Sequence, residues 1–167
     1  KTNNSDATAG ILNARSIDGD SAGIGGGYYG TGSCSNIIID SCSVIASSKY
    51  GAGIGGSKQH AGSDITINSS SVTASSTDGA GIGGGLYGSC KNITISGGSV
   101  NAHSDYGAGI GGGPGNNYGG DCNTIIINNG SVEAHSTNGA DIGGGNGEYF
   151  GGNCMNITIS GGSVEAN

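Results

Sequence analysis

Tryptophan is absent from this 167-residue chain, proline and phenylalanine occur once each, and only five residues are Lys or Arg. Each scarcity excludes a class. No apolar stretch approaches the ~20 residues of a membrane-spanning helix, and no isoleucine run is longer than that of Ile37, Ile38 and Ile39. The five bases, Lys1, Arg15, Lys49, Lys58 and Lys91, are scattered, and the net charge is -7. That balance argues against nucleic acid and against an anionic membrane surface, both of which need clustered cations. One proline and no Gly-x-y period exclude collagen. With 33% hydrophobic residues and few bulky ones, an ordinary globular core cannot be filled. Charge is low as well, at 10%, and Ile and Val recur at fixed places, which is unlike a disordered chain. What is abundant is glycine, 39 residues of it. A chain of this kind folds as a solenoid, whose narrow core needs only small residues and stacked aliphatics.

Internal repetition supports that reading. Ala-Gly-Ile-Gly-Gly, or a close variant, recurs with its Ile at 24, 54, 82, 110 and 142. A second segment follows each time, starting at Asn36, Asp64, Asn92, Thr124 and Asn156 and carrying the pattern Ile-x-Ile. A third, Ser-Val-x-Ala, places Val at 44, 72, 100, 132 and 164, so the period is 28, 28, 32 and 32 residues. Leu12 and Ala14 match the third segment of a preceding, incomplete unit. Alternation along a strand turns Ile37, Ile39, Val44, Ala46, Ala52 and Ile54 inward, and the same positions of every later unit with them. In the first segment the glycines Gly23, Gly53, Gly81 and Gly109 fall at outward positions, which predicts a face without side chains. The fold expected is all-β: a right-handed, three-sided parallel β-helix of about five coils of 28 to 32 residues, a single solenoid over 1–167 cut from a longer repeat array.

Spacing also marks the variable edge. First to second segment takes 12, 10, 10, 14 and 14 residues, whereas second to third always takes 8. Length changes confined to one turn point to a binding edge. Of the eight aromatic residues, Tyr28, Tyr29, Tyr87, Tyr118, Tyr149 and Phe150 lie in that turn, and Tyr50 and Tyr106 precede the first segment. Exposed rings stack on sugar C–H faces and their hydroxyls hydrogen-bond sugars, so these six are the candidate ligand-binding residues. The competing expectation is that the rings fold back over glycine-rich backbone.

The paired motif Gly-Ala-Gly-Ile-Gly-Gly-Gly (79–85) and Asn-Ile-Thr-Ile-Ser-Gly-Gly-Ser-Val (92–100) resembles the glycine-rich β-helix repeats of large secreted or wall-anchored proteins of Gram-positive, gut-dwelling bacteria. The resemblance covers almost the whole chain. It implies an extracellular or cell-wall location and an adhesin-like, non-catalytic role, and it brings no catalytic residues with it.

The remaining chemistry-bearing residues have bland readings beside sharp ones. Cys34, Cys90, Cys122 and Cys154 each stand two residues before the second segment and form a row interrupted at Gly62, while Cys42 falls in a later turn. Parallel stacking holds Cβ atoms farther apart than a disulfide prefers, so free, inward thiols are expected, and a linear row cannot supply tetrahedral zinc ligation. His103 and His135 share one repeat position and read as a solvated corner. Glu133 and Glu165 also share a position, about 5 Å apart if stacked, as in a retaining glycosidase. Nothing basic flanks them, so a carbohydrate-active hydrolase or lyase is the alternative to the adhesin reading, and a ligand-free spacer is the third. Asp18 and Asp20 could assist calcium, but Asp-Gly-Asp is foremost a turn signal and the rest of a calcium loop is missing. No cofactor or metal is called for. The expected partners are a glycan or host surface and further copies, met through the glycine face or the uncapped solenoid ends, with no nucleic acid and no membrane insertion.

Overall fold

The computed structural model describes residues 10–28 and 32–167, and Tyr29 lies outside them. The chain is a parallel β-solenoid of about five coils with no helix among the described residues. First segments form two-residue strands, Ile24–Gly25, Ile54–Gly55, Ile82–Gly83, Ile110–Gly111 and Ile142–Gly143, which stack as a five-stranded sheet. Second and third segments build an eight-stranded sheet. In the three central coils they run together as the 15-residue strands Gly62–Ser76, Cys90–Ser104 and Cys122–Ser136.

That continuity departs from the expected pair of strands separated by a turn. The corner between them is a bulge, with Ser69, Gly97, Gly98 and Gly130 at positive φ and a register shift on either side of Asn129. A bulge bends a strand without ending its ladder, so the second and third segments stay in one sheet while facing two sides of the coil.

Identical positions meet across coils. Ile65 pairs with Ile93, Ile93 with Ile125, Val72 with Val100 and Val100 with Val132. The inward residues are those that alternation selects: Ile54, Ile65, Ile67 and Val72, with their counterparts in the next two coils, are at most 1% exposed. Each coil therefore contributes three isoleucines and a valine to the axis, with alanines between. Ile38 and Ile45, on the other parity, are exposed.

The expected bare glycine face is not a surface. Gly53, Gly81 and Gly109 are buried. A Cβ on Gly53 would lie 2.7 Å from the carbonyl oxygen of Gly81 and 2.7 Å from the amide nitrogen of Ser75. The first segment is tucked against the end of the third strand, so these glycines mark backbone-on-backbone contact inside the molecule. Alternation misplaces them because the strand here is only two residues long. The second residue of each pair, such as Gly83 at φ +137°, leaves the region that side-chain-bearing residues occupy. Neighbouring backbone of the same chain already covers Gly53, Gly81 and Gly109 on this side.

A serine row fastens the turn between third and first segments. Ser104 Oγ donates to the carbonyl of Gly79, one coil earlier, at 2.7 Å, and accepts from the Gly107 amide at 2.8 Å. Ser76 does the same with Gly51 and Gly79, and Ser136 with Gly107 and Gly139. Ser48 opens the row, donating to Ser21 and accepting from Gly51. One hydroxyl thus closes its own turn and ties that turn to the one before it.

Candidate functional site at the variable edge

The long turns of coils four and five, each 14 residues from Ile to the second segment, stack on one another as the strands do. Gly115 pairs with Gly147 and Tyr118 with Phe150 in parallel bridges, and the Gly119 amide donates to the Phe150 carbonyl at 2.9 Å. Equal insertion lengths make this possible, because each turn finds the same backbone one coil away. The rings of Tyr118 and Phe150 consequently stack, with centroids 5.4 Å apart and planes 11° from parallel. They remain 69% and 61% exposed.

Beside the rings runs a groove of about 460 Å³ lined by Tyr118, Gly119, Asp121, Phe150, Gly151 and Asn153. Asp121 Oδ1 accepts from the Asn153 amide at 2.7 Å, so the polar wall is also tied from coil to coil. The combination of an apolar ring surface and a carboxylate and amide wall suits a polyhydroxylated ligand. Asp121 is the one charged side chain in that lining.

The other candidate rings divide. Tyr149, adjoining Phe150, is exposed and its amide donates to the Asn117 carbonyl at 3.2 Å. Tyr87 reaches from coil three to the same edge, its hydroxyl donating to Asn116 Oδ1 at 2.8 Å, so this hydroxyl already has a protein partner. Tyr28 is half-buried in coil one. Its amide donates to Ser21 Oγ at 3.1 Å, so it belongs to a different neighbourhood. Tyr50 is engaged by cations: the Lys49 and Lys58 ammonium groups stand 4.6 and 4.9 Å from its ring centroid.

The carboxylates and histidines are held by neighbours. Glu133 and Glu165 are in register on adjacent coils, with Asn101 Nδ2 donating to Glu133 at 2.9 Å and Asn167 Nδ2 to Glu165 at 2.8 Å. His103 and His135 stack with centroids 5.2 Å apart. His103 Nε2 lies 3.0 Å from Asp105, and His135 Nδ1 is hydrogen-bonded with the Asn167 carbonyl. Among the described residues no group of three His, Cys, Asp or Glu side chains converges as a metal site. Asp18 accepts from the Ser16 hydroxyl and the Ser21 amide, hydrogen bonds that hold its carboxyl below the ordinary aspartate value. Asp20 pairs with Lys58 at 3.3 Å. The two aspartates therefore serve a turn and an ion pair.

Cysteine corrects the expectation of free thiols throughout. The predicted row is present, running Cys34, Gly62, Cys90, Cys122, Cys154. Cys90 and Cys122 are joined as a disulfide with Cα atoms 4.5 Å apart, whereas Cys34, Cys42 and Cys154 are free. The spacing of adjacent coils falls within the Cα range of disulfides, and tilting the two side chains toward one another closes the remaining gap. Burial pushes the thiols of Cys34 and Cys154 up from their ordinary value.

Comparison with known families follows the same geometry. The family model for the beta helix repeat matches this chain four times. The matches cover residues 37–58, 65–86, 93–114 and 157–167, and each of the first three opens at the inward Ile of a second segment and runs into the following coil. No curated protein and no solved structure matches the chain. The beta-helix repeat thus agrees with the solenoid in fold and in phase.

Proposed function

We propose that this chain is a non-catalytic, adhesin-like segment of an extracellular bacterial surface protein, binding neutral glycans on the edge formed by Tyr118 and Phe150. The observation that carries this reading is the stacked, exposed ring pair beside the Asp121 and Asn153 wall. An in-register row of β-coils is rigid, so it holds the rings at fixed separation and little side-chain freedom is lost on binding. Asp121, the one charged side chain lining the groove, disfavours acidic sugars, whose carboxylates would meet like charge there. The amide partners of Glu133 and Glu165 favour a structural use of those carboxylates over acid–base chemistry. An oxidised Cys90–Cys122 pair suits a secreted protein, since disulfides persist where thiols are not kept reduced. The resemblance to Gram-positive surface repeats points the same way.

A glycan array containing neutral and uronic-acid or sialic-acid chains tests this. Binding to neutral chains that weakens at least about tenfold in Tyr118→Ala and in Phe150→Ala supports the site, in line with the ~1–3 kcal/mol of a ring contact at a binding hot spot. No binding across the array leaves the chain a ligand-free spacer, and release of reducing ends from any glycan would establish the enzymatic alternative.

A further inference from the structure

Cys90, Cys122 and Cys154 occupy one in-register row over three successive coils, so Cys122 has a cysteine on each side along the axis. It is bonded to Cys90, while Cys154 is a free, half-buried thiol. The other two cysteines are set apart. Cys34 stands beside Gly62, two coils from Cys90, and Cys42 stands beside Ser70. Thiol–disulfide exchange requires a thiolate to approach one sulfur of a disulfide while the other sulfur departs on the far side. A straight row supplies the three sulfurs in that order: Cys154 as attacker, Cys122 as centre and Cys90 as leaving group.

We propose that this row is an internal thiol-exchange site in which the disulfide moves from one pair of coils to the next. The Cys154 thiolate attacks Sγ of Cys122. The Cys122–Cys154 bond forms, the Cys90–Cys122 bond breaks, and Cys90 leaves as a thiolate that takes up the proton Cys154 released. One disulfide and one thiol exist before and after, so neither an oxidant nor a reductant is consumed. The two bonds close loops of equal length, 32 residues from Cys90 to Cys122 and, from 154 minus 122, also 32 to Cys154. Their loop-closure entropies therefore cancel. What distinguishes them is burial: Cys90 and Cys122 are almost fully enclosed and Cys154 only partly, which favours the bond seen here. Exchange makes Cys90 and Cys154 alternate as the free thiol, and an electrophile that captures Cys154 locks the bond between coils three and four.

The sequence makes the experiment simple. Lys91 is the last Lys or Arg, so tryptic cleavage there separates Cys90 from a 92–167 fragment that carries both Cys122 and Cys154. The purified, oxidised chain is held at pH 8 without added thiol, quenched in acid, alkylated, digested and weighed. The bond between Cys90 and Cys122 joins the two fragments. The migrated bond instead closes the 92–167 fragment on itself, lighter by two hydrogens, and frees an alkylated Cys90 peptide. The migrated form is expected at between about a tenth and an equal share, and Cys154→Ser should abolish it while keeping the Cys90–Cys122 bond. A migrated share under about one part in a hundred overturns the proposal, provided the urea-unfolded chain scrambles its disulfide under the same conditions. Partners found at Cys34 or Cys42 in the folded chain overturn it equally.

Discussion

Ser104→Ala is the sharpest test of how the coils are held together. The hydroxyl it removes is fully buried, donates to Gly79 O at 2.7 Å and accepts from Gly107 N at 2.8 Å. No other partner for that carbonyl or that amide occurs among the described residues. A typical hydrogen bond contributes a net ~1 kcal/mol, but a buried donor or acceptor left unpaired costs about 1–3 kcal/mol. Two such groups, separated by a side chain only one oxygen wide, leave no room for a replacing water. The expected loss is therefore about 2–4 kcal/mol, against less than about 0.5 kcal/mol for the exposed amide control Asn101→Ala. Urea unfolding followed by circular dichroism measures the total. Amide exchange places it, since stability in a solenoid is the sum of coil and neighbour terms and the loosening should centre on Gly107 and Gly79. A loss under about 0.5 kcal/mol for Ser104→Ala, with exchange unchanged at Gly107, would refute the idea that the serine row fastens the coils.

Three further outcomes are expected. Gly83→Ala should prevent native stacking of coils three and four, because its Cβ would lie 2.0 Å from Gly111 O at a φ of +137°; a folded variant with an unchanged urea midpoint would contradict this. Ile93→Ala, emptying a fully buried position between Ile65 and Ile125, should cost about 2–5 kcal/mol in the same titration. Asp18 has a folded value below its ordinary 3.8, so its hold on the Ser16–Ser21 turn is complete above that pH and is lost as pH falls through the lower folded value. In an NMR titration the Ser21 amide should shift in that acid window, and a Ser21 transition above pH 3.8 would show the hydrogen bond to be absent.

The sequence carried the axis of this molecule more fully than its surface. Ile65, Ile93 and Ile125 could be placed inward and in register because period and alternation act together on them, and the structure has them so. The variable turn was legible for a related reason, since insertion lengths are countable. Alternation failed at Gly53, where the strand is two residues long and the neighbouring backbone approaches from the side that a longer strand would expose. The bulge at the second corner was hidden because Ser-Gly-Gly and Asn-Asn-Gly read as turns, whether or not the ladder continues through them. The serine row did leave a signal: Ser-x-x-Gly recurs at 48–51, 76–79, 104–107 and 136–139. Serine beside glycine looks like loop composition until hydrogen bonds show its hydroxyl spanning two coils. The Cys90–Cys122 bond was missed because stacking was treated as rigid, when a small tilt of two side chains suffices.

The pairing of Tyr118 with Phe150 depends on two neighbouring turns having grown by the same amount. A single enlarged turn has no equal beside it, and its added backbone would lack hydrogen-bonding partners along the axis. Duplicating a whole unit enlarges two neighbouring turns by the same amount and so keeps this pairing. Copying coil five once would add a third ring to the row and lengthen the groove by one coil spacing, about 4.8 Å, so that reach along a ligand is set by copy number and no new loop has to be invented.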